Sequence, residues 1–207
     1  GSDPDAALPA GQPAPDHDDI TEPPVTTAAP GDIVPRTLLP TSTQGYDYAE
    51  GIYLYNRTNL PVDLAAIASA PVEITLPEEG PQVLIMHTHG TEAYTPDGED
   101  IYTPSDGNTR TLEEAYNVVR IGDEIERIFT EMGLSVIHDR TLYDYPKYNG
   151  AYDRSAGGVE EYLAQYPSIK IVLDVHRDAL VGEDGTVYKA VTEIDGRPTA
   201  QVMLVLG

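Results

Sequence analysis

Cysteine is absent from the 207 residues. Its absence excludes a disulfide scaffold, a thiolate zinc site and a cysteine nucleophile, and leaves the compartment open. Basic residues are scarce: 12 Lys and Arg stand against 35 Asp and Glu, for a formal net charge of −23. A phosphate backbone is bound through Lys and Arg, so no nucleic-acid partner is expected. The acid is spread along the chain, with nine acids and one base in residues 1–50 and 26 acids and 11 bases in the rest. That distribution reads as a solvated surface rather than an acidic tail. No apolar run approaches the roughly 18 residues of a membrane span, and no signal peptide is present. The opening Gly1-Ser2 resembles a cloning scar, so any native anchor is expected to have lain upstream.

Half of the prolines fall in residues 1–45, among Asp, Thr and Ala. Such a segment cannot bury enough apolar surface to offset its chain entropy, and it reads as an extended linker before a domain spanning 46–207. Gly51 to Tyr55 alternates as a short strand, and Leu64 to Ala68 reads as a helical turn. The run Gln82-Val83-Leu84-Ile85-Met86 has the length and branching of a buried strand. A long polar loop from Gly90 to Thr109 follows, and loops of that length beside a strand end are often functional. Thr111 can cap the next helix, whose inward face would be Leu112, Ala115, Val119, Ile125, Ile128, Phe129 and Met132, with Gly133 as its stop. Leu134 to Ile137 reads as a strand. Ser155 can cap a second helix ending near Pro167, and Ile169 to Val175 is a third, almost wholly apolar strand. This order predicts an α/β fold with an open, mostly parallel sheet, right-handed crossovers and helices on both faces. Val187 to Ile194 and Ala200 to Leu206, joined at Asp195-Gly196-Arg197, read as a hairpin.

Four of the five histidines lie in the domain, and three of them fall directly at predicted strand ends. The first strand runs into His87-Thr88-His89-Gly90-Thr91-Glu92, and the third into Asp174-Val175-His176-Arg177-Asp178. In an open parallel sheet the carboxyl ends of the strands share one edge, where ligands bind. His87, His89, Glu92 and His176 can therefore converge. Two imidazoles, a carboxylate and an open water position make a catalytic zinc site. A single histidine at a strand end is more often a hydrogen-bonded structural residue. Two such segments together are harder to explain that way. His138 also ends a strand, but Asp139 and Arg140 offer it ordinary partners, and it reads as structural.

The segments "PQVLIMHTHGTEAYTP", "YNVVRIGDEI", "GLSVIHDRTLYDYPKYNGAYDRS", "LDVHRDAL" and "AQVMLVLG" resemble, in order, the successive blocks of the stage II sporulation protein P family. The resemblance covers about residues 46–207. It implies a membrane-anchored, extracytoplasmic, zinc-dependent cell-wall hydrolase, similar in fold to N-acetylmuramoyl-L-alanine amidases. It also implies a role in forespore engulfment beside a lytic transglycosylase partner. Laid on the amidase pattern, the metal histidines are His89 and His176, with His87 beside them. The amidases take a glutamate two residues before an Asn-Val pair. Here Ala115 holds that position before Asn117-Val118, and Glu113 and Glu114 are off register, so Glu92 is the preferred carboxylate ligand. The implied reaction is hydrolysis of the bond from the muramic acid lactyl carbonyl to L-alanine. Zinc would lower the pKa of its water, and a carboxylate would carry the proton. Arg177 either binds a substrate carboxylate or the developing oxyanion, or pairs with Asp178; Glu114 stands as a further candidate near the site.

The resemblance further implies that the family's general base, a glutamate on a later strand, follows Gly207, so that the domain is expected to lack its C-terminal part and this piece to be a poor enzyme. Endopeptidase activity on peptidoglycan is the nearest competing chemistry. A non-catalytic wall-binding or scaffold module is the reading from another class.

Overall fold

A computed structural model describes residues 33–94, 110–182 and 185–205. The core is a sheet built around strand β4 (Val83–Met86). Strands β5 (Val136–His138) and β6 (Ile171–His176) pair with it in parallel on either side, and β10 (Met203–Val205) adds antiparallel to β6, giving the order β10-β6-β4-β5. Val83, Leu84 and Ile85 are wholly inaccessible and Met86 is 3% exposed, so both faces of β4 are covered. Each such side chain contributes about 1.5–3 kcal/mol on burial.

Helix α2 (Val118–Glu131) follows β4 and α3 (Ala151–Gln165) follows β5. The chain steps from β4 to β5 in one direction and back past β4 to β6 in the other. Right-handed crossovers, the rule for such connections, call for the two helices on opposite faces. Ile121, Ile125 and Phe129, spaced four apart on α2, pack on Val83, Ile85 and Val175. Arg127 faces outward and is bonded to Glu124 and Glu131.

The helix starts differ from the sequence reading. Thr111 does not open α2: residues Glu114–Tyr116 make a single 3-10 turn, and Asn117, extended at φ −124° and ψ −177°, breaks the path. Asn117 is the cap, its Oδ1 accepting the Val119 N–H. Leu112 is accordingly exposed, as are Ile128 and Met132, while Val119 is buried. Gly133, at φ 89°, ends the helix in the left-handed conformation. Ser155 lies inside α3, buried with its hydroxyl 2.8 Å from that of Thr88; the helix begins four residues earlier, behind the left-handed Gly150.

A second sheet has the order β1-β8-β7, with β9 also on β8. It comprises β1 (Ile33–Thr37), β7 (Leu180–Val181), β8 (Val187–Ile194) and β9 (Arg197–Ala200). Strand β1 lies within the stretch that composition reads as linker, and pairs in parallel with β8 over five residues. The hairpin around Asp195-Gly196 is present, but its second arm divides: β9 stays on β8, while β10 joins the core sheet beside β6. Tyr46, Tyr48, Tyr53 and Tyr55 cluster on the small hairpin of β2 (Asp47–Ala49) and β3 (Ile52–Leu54), near the short helix α1 (Leu64–Ser69). Among the described residues no helix is long and apolar enough to cross a membrane.

Gly122 sets how closely α2 approaches the sheet. A Cβ there would lie 2.4 Å from His138 Nε2 and 2.6 Å from His87 Nε2. Gly122→Ala should gain about 1 kcal/mol of helix propensity and lose about 1–3 kcal/mol to overpacking. We expect a net loss of stability by urea titration. Gly157→Ala in α3, where nothing lies within 4 Å, should instead stabilise.

Candidate metal centre

Because β4, β5 and β6 run parallel, their carboxyl ends share one edge, and His87, His138 and His176 all stand there. His87 immediately follows β4 and is fully buried. Its Nδ1 donates to the Val175 carbonyl at 2.9 Å, so in the neutral ring Nε2 accepts from His138 Nε2, also at 2.9 Å. Burial pushes the His87 pKa down to about 4. His87 is thus occupied on both nitrogens and stands behind the site rather than in it.

His89, Glu92 and His176 are 6%, 7% and 3% exposed, too buried for ordinary surface polar residues. His176 presents Nδ1 to Glu92 Oε2 at 3.5 Å, and its ring centroid is 5.4 Å from that of His89. Two ligands on one tetrahedral zinc stand about 3.4 Å apart, given bonds of about 2.0–2.1 Å, so Glu92 and His176 already sit at ligand spacing. His89 Nδ1 and His176 Nε2 are buried without a hydrogen bond. His176 Nε2 does lie 2.9 Å from Asp174 Oδ1, a contact of charge rather than of aligned donor and acceptor. Asp174 is held there by the Thr88 N–H at 2.8 Å and the Thr88 hydroxyl at 2.7 Å. A fixed carboxylate behind an imidazole is the arrangement that orients metal-binding histidines. The unpartnered His89 Nδ1 and the facing His176 Nδ1 and Glu92 carboxylate are donors that suit zinc, while His176 Nε2 is turned to Asp174.

His89 and Glu92 carry the charge state a ligand needs, and His176 would release a proton to bind an ion. Burial lowers the His89 pKa and keeps the ring neutral, as a ligand must be. Burial would raise Glu92, but His176 and the Arg177 N–H, which donates to Glu92 Oε2 at 2.9 Å, hold it below the ordinary carboxylate value. Burial would lower His176, yet Asp174 and Glu92 on either side outweigh it and raise its pKa to about 9.

Segment 91–94 is pinned by the chain returning at Arg110. Thr111 donates to Thr91, Tyr94 to Tyr116 and Val118 to Glu92 through backbone bonds. Asp144, with no exposed side-chain area, accepts from Arg110 Nη1 and from the Thr91 hydroxyl, each at 2.5 Å, and lies 3.9 Å from His89 Nδ1. Tyr148 stacks on His89 at 4.6 Å and 13°, Tyr152 meets it edge-on at 5.3 Å, and the Arg110 guanidinium lies over Tyr148 at 4.4 Å.

The other predicted residues divide. Arg177 supplies its backbone N–H to Glu92, and its guanidinium donates to the Asp178 carbonyl oxygen; the Asp178 carboxylate accepts from Ala179 N–H. Glu114 is half exposed and bonded to Arg140 instead of to the histidines. Among the described residues, the three donors whose ligand atoms all lie within 4.8 Å of one another are Asp123, Glu126 and His138, not the predicted trio. Residues 95–109, most of the loop read as functional, lie outside the described residues. Sequence reasoning missed Asp144, Asp174, Arg110 and Tyr148. The blocks containing Asp144, Tyr148 and Asp174 carried the only signal for them, and it did not mark which side chains turn inward.

The fold and site define a mixed α/β protein with a buried histidine–carboxylate centre at the carboxyl edge of a largely parallel sheet. The sequence model described as Stage II sporulation protein P matches residues 41–207, and the chain belongs to that family. Among curated relatives it is similar to Stage II sporulation protein P of Bacillus subtilis (strain 168), 29% identical over 133 residues, covering 60% of this chain and 30% of that protein. The chain thus spans less than a third of that relative's length. No solved structure matches it.

His87 makes the acid side of the stability profile testable. Its folded pKa, about 4, lies below the ordinary histidine value of about 6.5, so the unfolded chain binds the extra proton first. The stability that comes with a neutral His87 is complete above about pH 6.5 and declines as pH falls toward 4. In urea titrations His87→Gln should flatten this part of the profile, although the variant starts less stable.

Proposed function

We propose that this chain is the metal-binding part of a zinc-dependent peptidoglycan hydrolase of sporulation. It acts outside the cytoplasm on the amide bond between N-acetylmuramic acid and L-alanine, and endopeptidase cleavage is the competing bond choice. The reading is carried by one observation: Glu92 and His176 stand at ligand spacing, 3.5 Å apart, and the buried His89 ring lies 5.4 Å from that of His176, centroid to centroid. Family membership supports the sporulation context. Peptidoglycan as substrate, a membrane anchor upstream and a lytic transglycosylase as partner follow from the family resemblance.

His89, Glu92 and His176 would hold the ion. Bound there, zinc supplies an ionisable water near neutral pH and a Lewis acid for the scissile carbonyl. The chain's own groups prepare that site. Asp174, clamped by Thr88, fixes the His176 ring. The Arg177 N–H aims Glu92 and keeps it ionised. Tyr148 and Tyr152 fix the plane of His89 and cover it from water. Arg110, paired with Asp144 and stacked on Tyr148, holds the ring that lies against His89.

His89→Ala and His176→Ala should each lose one equivalent of zinc at neutral pH, measured by metal analysis after dialysis, and Glu92→Gln should weaken that equivalent about tenfold or more. With the full-length protein, digestion of purified sacculi followed by mass spectrometry should release peptides beginning at free L-alanine. The two histidine variants should fall to background. Shortened glycans with peptides attached would overturn the reading. Binding to sacculi with no product would favour a non-catalytic wall-binding module.

A further inference from the structure

A second cluster lies on the far side of His87. Asp123 and Glu126, one turn apart on α2, face His138 at the end of β5. His138 Nδ1 is 3.2 Å from Asp123 Oδ1 and 3.6 Å from Glu126 Oε2. The His138 side chain is 2% exposed, and this nitrogen has no hydrogen-bond partner.

Counting protons shows what is missing. The Val175 carbonyl can only accept, so His87 Nδ1 carries a proton and its Nε2, in the neutral ring, accepts. His138 Nε2 must then be the donor of the bond between the rings. A neutral His138 therefore turns a bare lone pair on Nδ1 toward two carboxylates, which is repulsive. A second proton on Nδ1 would remove the repulsion, but it is aligned with neither oxygen, and it would place an imidazolium where the side chain is almost wholly buried. A cation shared by the three atoms removes the repulsion without either cost. Arg140 contacts Asp123 through Nη1 and Glu114 through Nη2, so it offsets part of the acidic charge from outside without reaching the nitrogen.

We propose that Asp123, Glu126 and His138 Nδ1 form a second divalent-cation site, distinct from the His89–Glu92–His176 centre. One imidazole with two carboxylates suits zinc or manganese. Magnesium and calcium, which favour all-oxygen shells, suit it poorly. The carboxylates are 30% and 40% exposed, which leaves an entry path and room for water ligands. The ion joins α2 to the end of β5, and the bonds from His138 to His87 and from His87 to Val175 carry that tie into β4 and β6. The site is thus a brace for the edge that bears the first centre.

The test is metal stoichiometry of this chain, stripped with chelator and titrated with Mn2+ by EPR and with Zn2+ by dialysis. The double variant Asp123→Asn/Glu126→Gln changes only partly exposed carboxylates, and its fold is checked by circular dichroism. It should bind one equivalent fewer than the unchanged chain with either ion. In the His89→Ala/His176→Ala background, one equivalent should remain and be lost when the two amides are added. That background separates the proposal from the zinc-hydrolase reading, because the second site is counted after the first is removed. Equal stoichiometry with and without the Asp123 and Glu126 carboxylates would overturn the proposal and leave them as counter-ions of a protonated His138. So would Mg2+ competing with Mn2+ at equal concentration.

Discussion

Strand β4 has a hydrogen-bonded neighbour on each side and α2 packed on one face, and water reaches almost none of it. The chain leaving its carboxyl end therefore stays in the interior for six more residues. Every polar group there must find a partner inside the protein or pay the full cost of desolvation. His87 uses Val175 and His138, Thr88 uses Asp174, and Thr91 uses Asp144. These partners come from β5, β6 and the loop before α3. The requirement to satisfy the end of β4 thus assembles the site from segments about fifty and ninety residues away.

The same constraint sorts the histidines. His87 has both nitrogens occupied and is held neutral by burial. His89 and His176 keep a buried nitrogen without a hydrogen bond, among Glu92, Asp144 and Asp174. In a chain of net charge −23 the carboxylates are plentiful, but among the described residues few are buried: Glu92 and Asp144 stand beside histidine or arginine, and Asp139 accepts from the Tyr143 hydroxyl and the Thr141 N–H. Buried carboxylates need positive partners, because an unpaired one costs several kcal/mol or gains a proton. The protein meets that need here with imidazoles, Arg110 and backbone N–H groups.

Much of the fold was legible in the sequence. The runs 82–86, 134–137 and 169–175 have strand length and composition, and each contains or overlaps an observed strand. The placement of His87, His138 and His176 at strand ends follows from those runs, and with parallel pairing it brings them to one edge. The α2 face read from the period-3.6 pattern held for Val119, Ile125 and Phe129. It failed at Leu112, because Asn117 can cap as well as Thr111 and its extended backbone separates the two turns. Ser155 was read as a cap because serine favours that position, whereas a hydrogen bond to Thr88 across the fold keeps it within the helix. The arm after Asp195-Gly196 was read as one strand. Its pattern does not record that β9 and β10 join different sheets.

The sequence by itself determined the element order, the depth of β4 and the histidines at the strand ends, because these depend on local hydrophobic pattern and on the short distance from a strand to its own terminus. Tertiary structure alone decided which nitrogen faces which carboxylate. It turned Asp144 inward to Arg110, and set Asp123 and Glu126 against His138. Those pairings join residues that are separated in sequence or read as solvent-facing charges. They are fixed by strand register and helix approach, which no local pattern encodes.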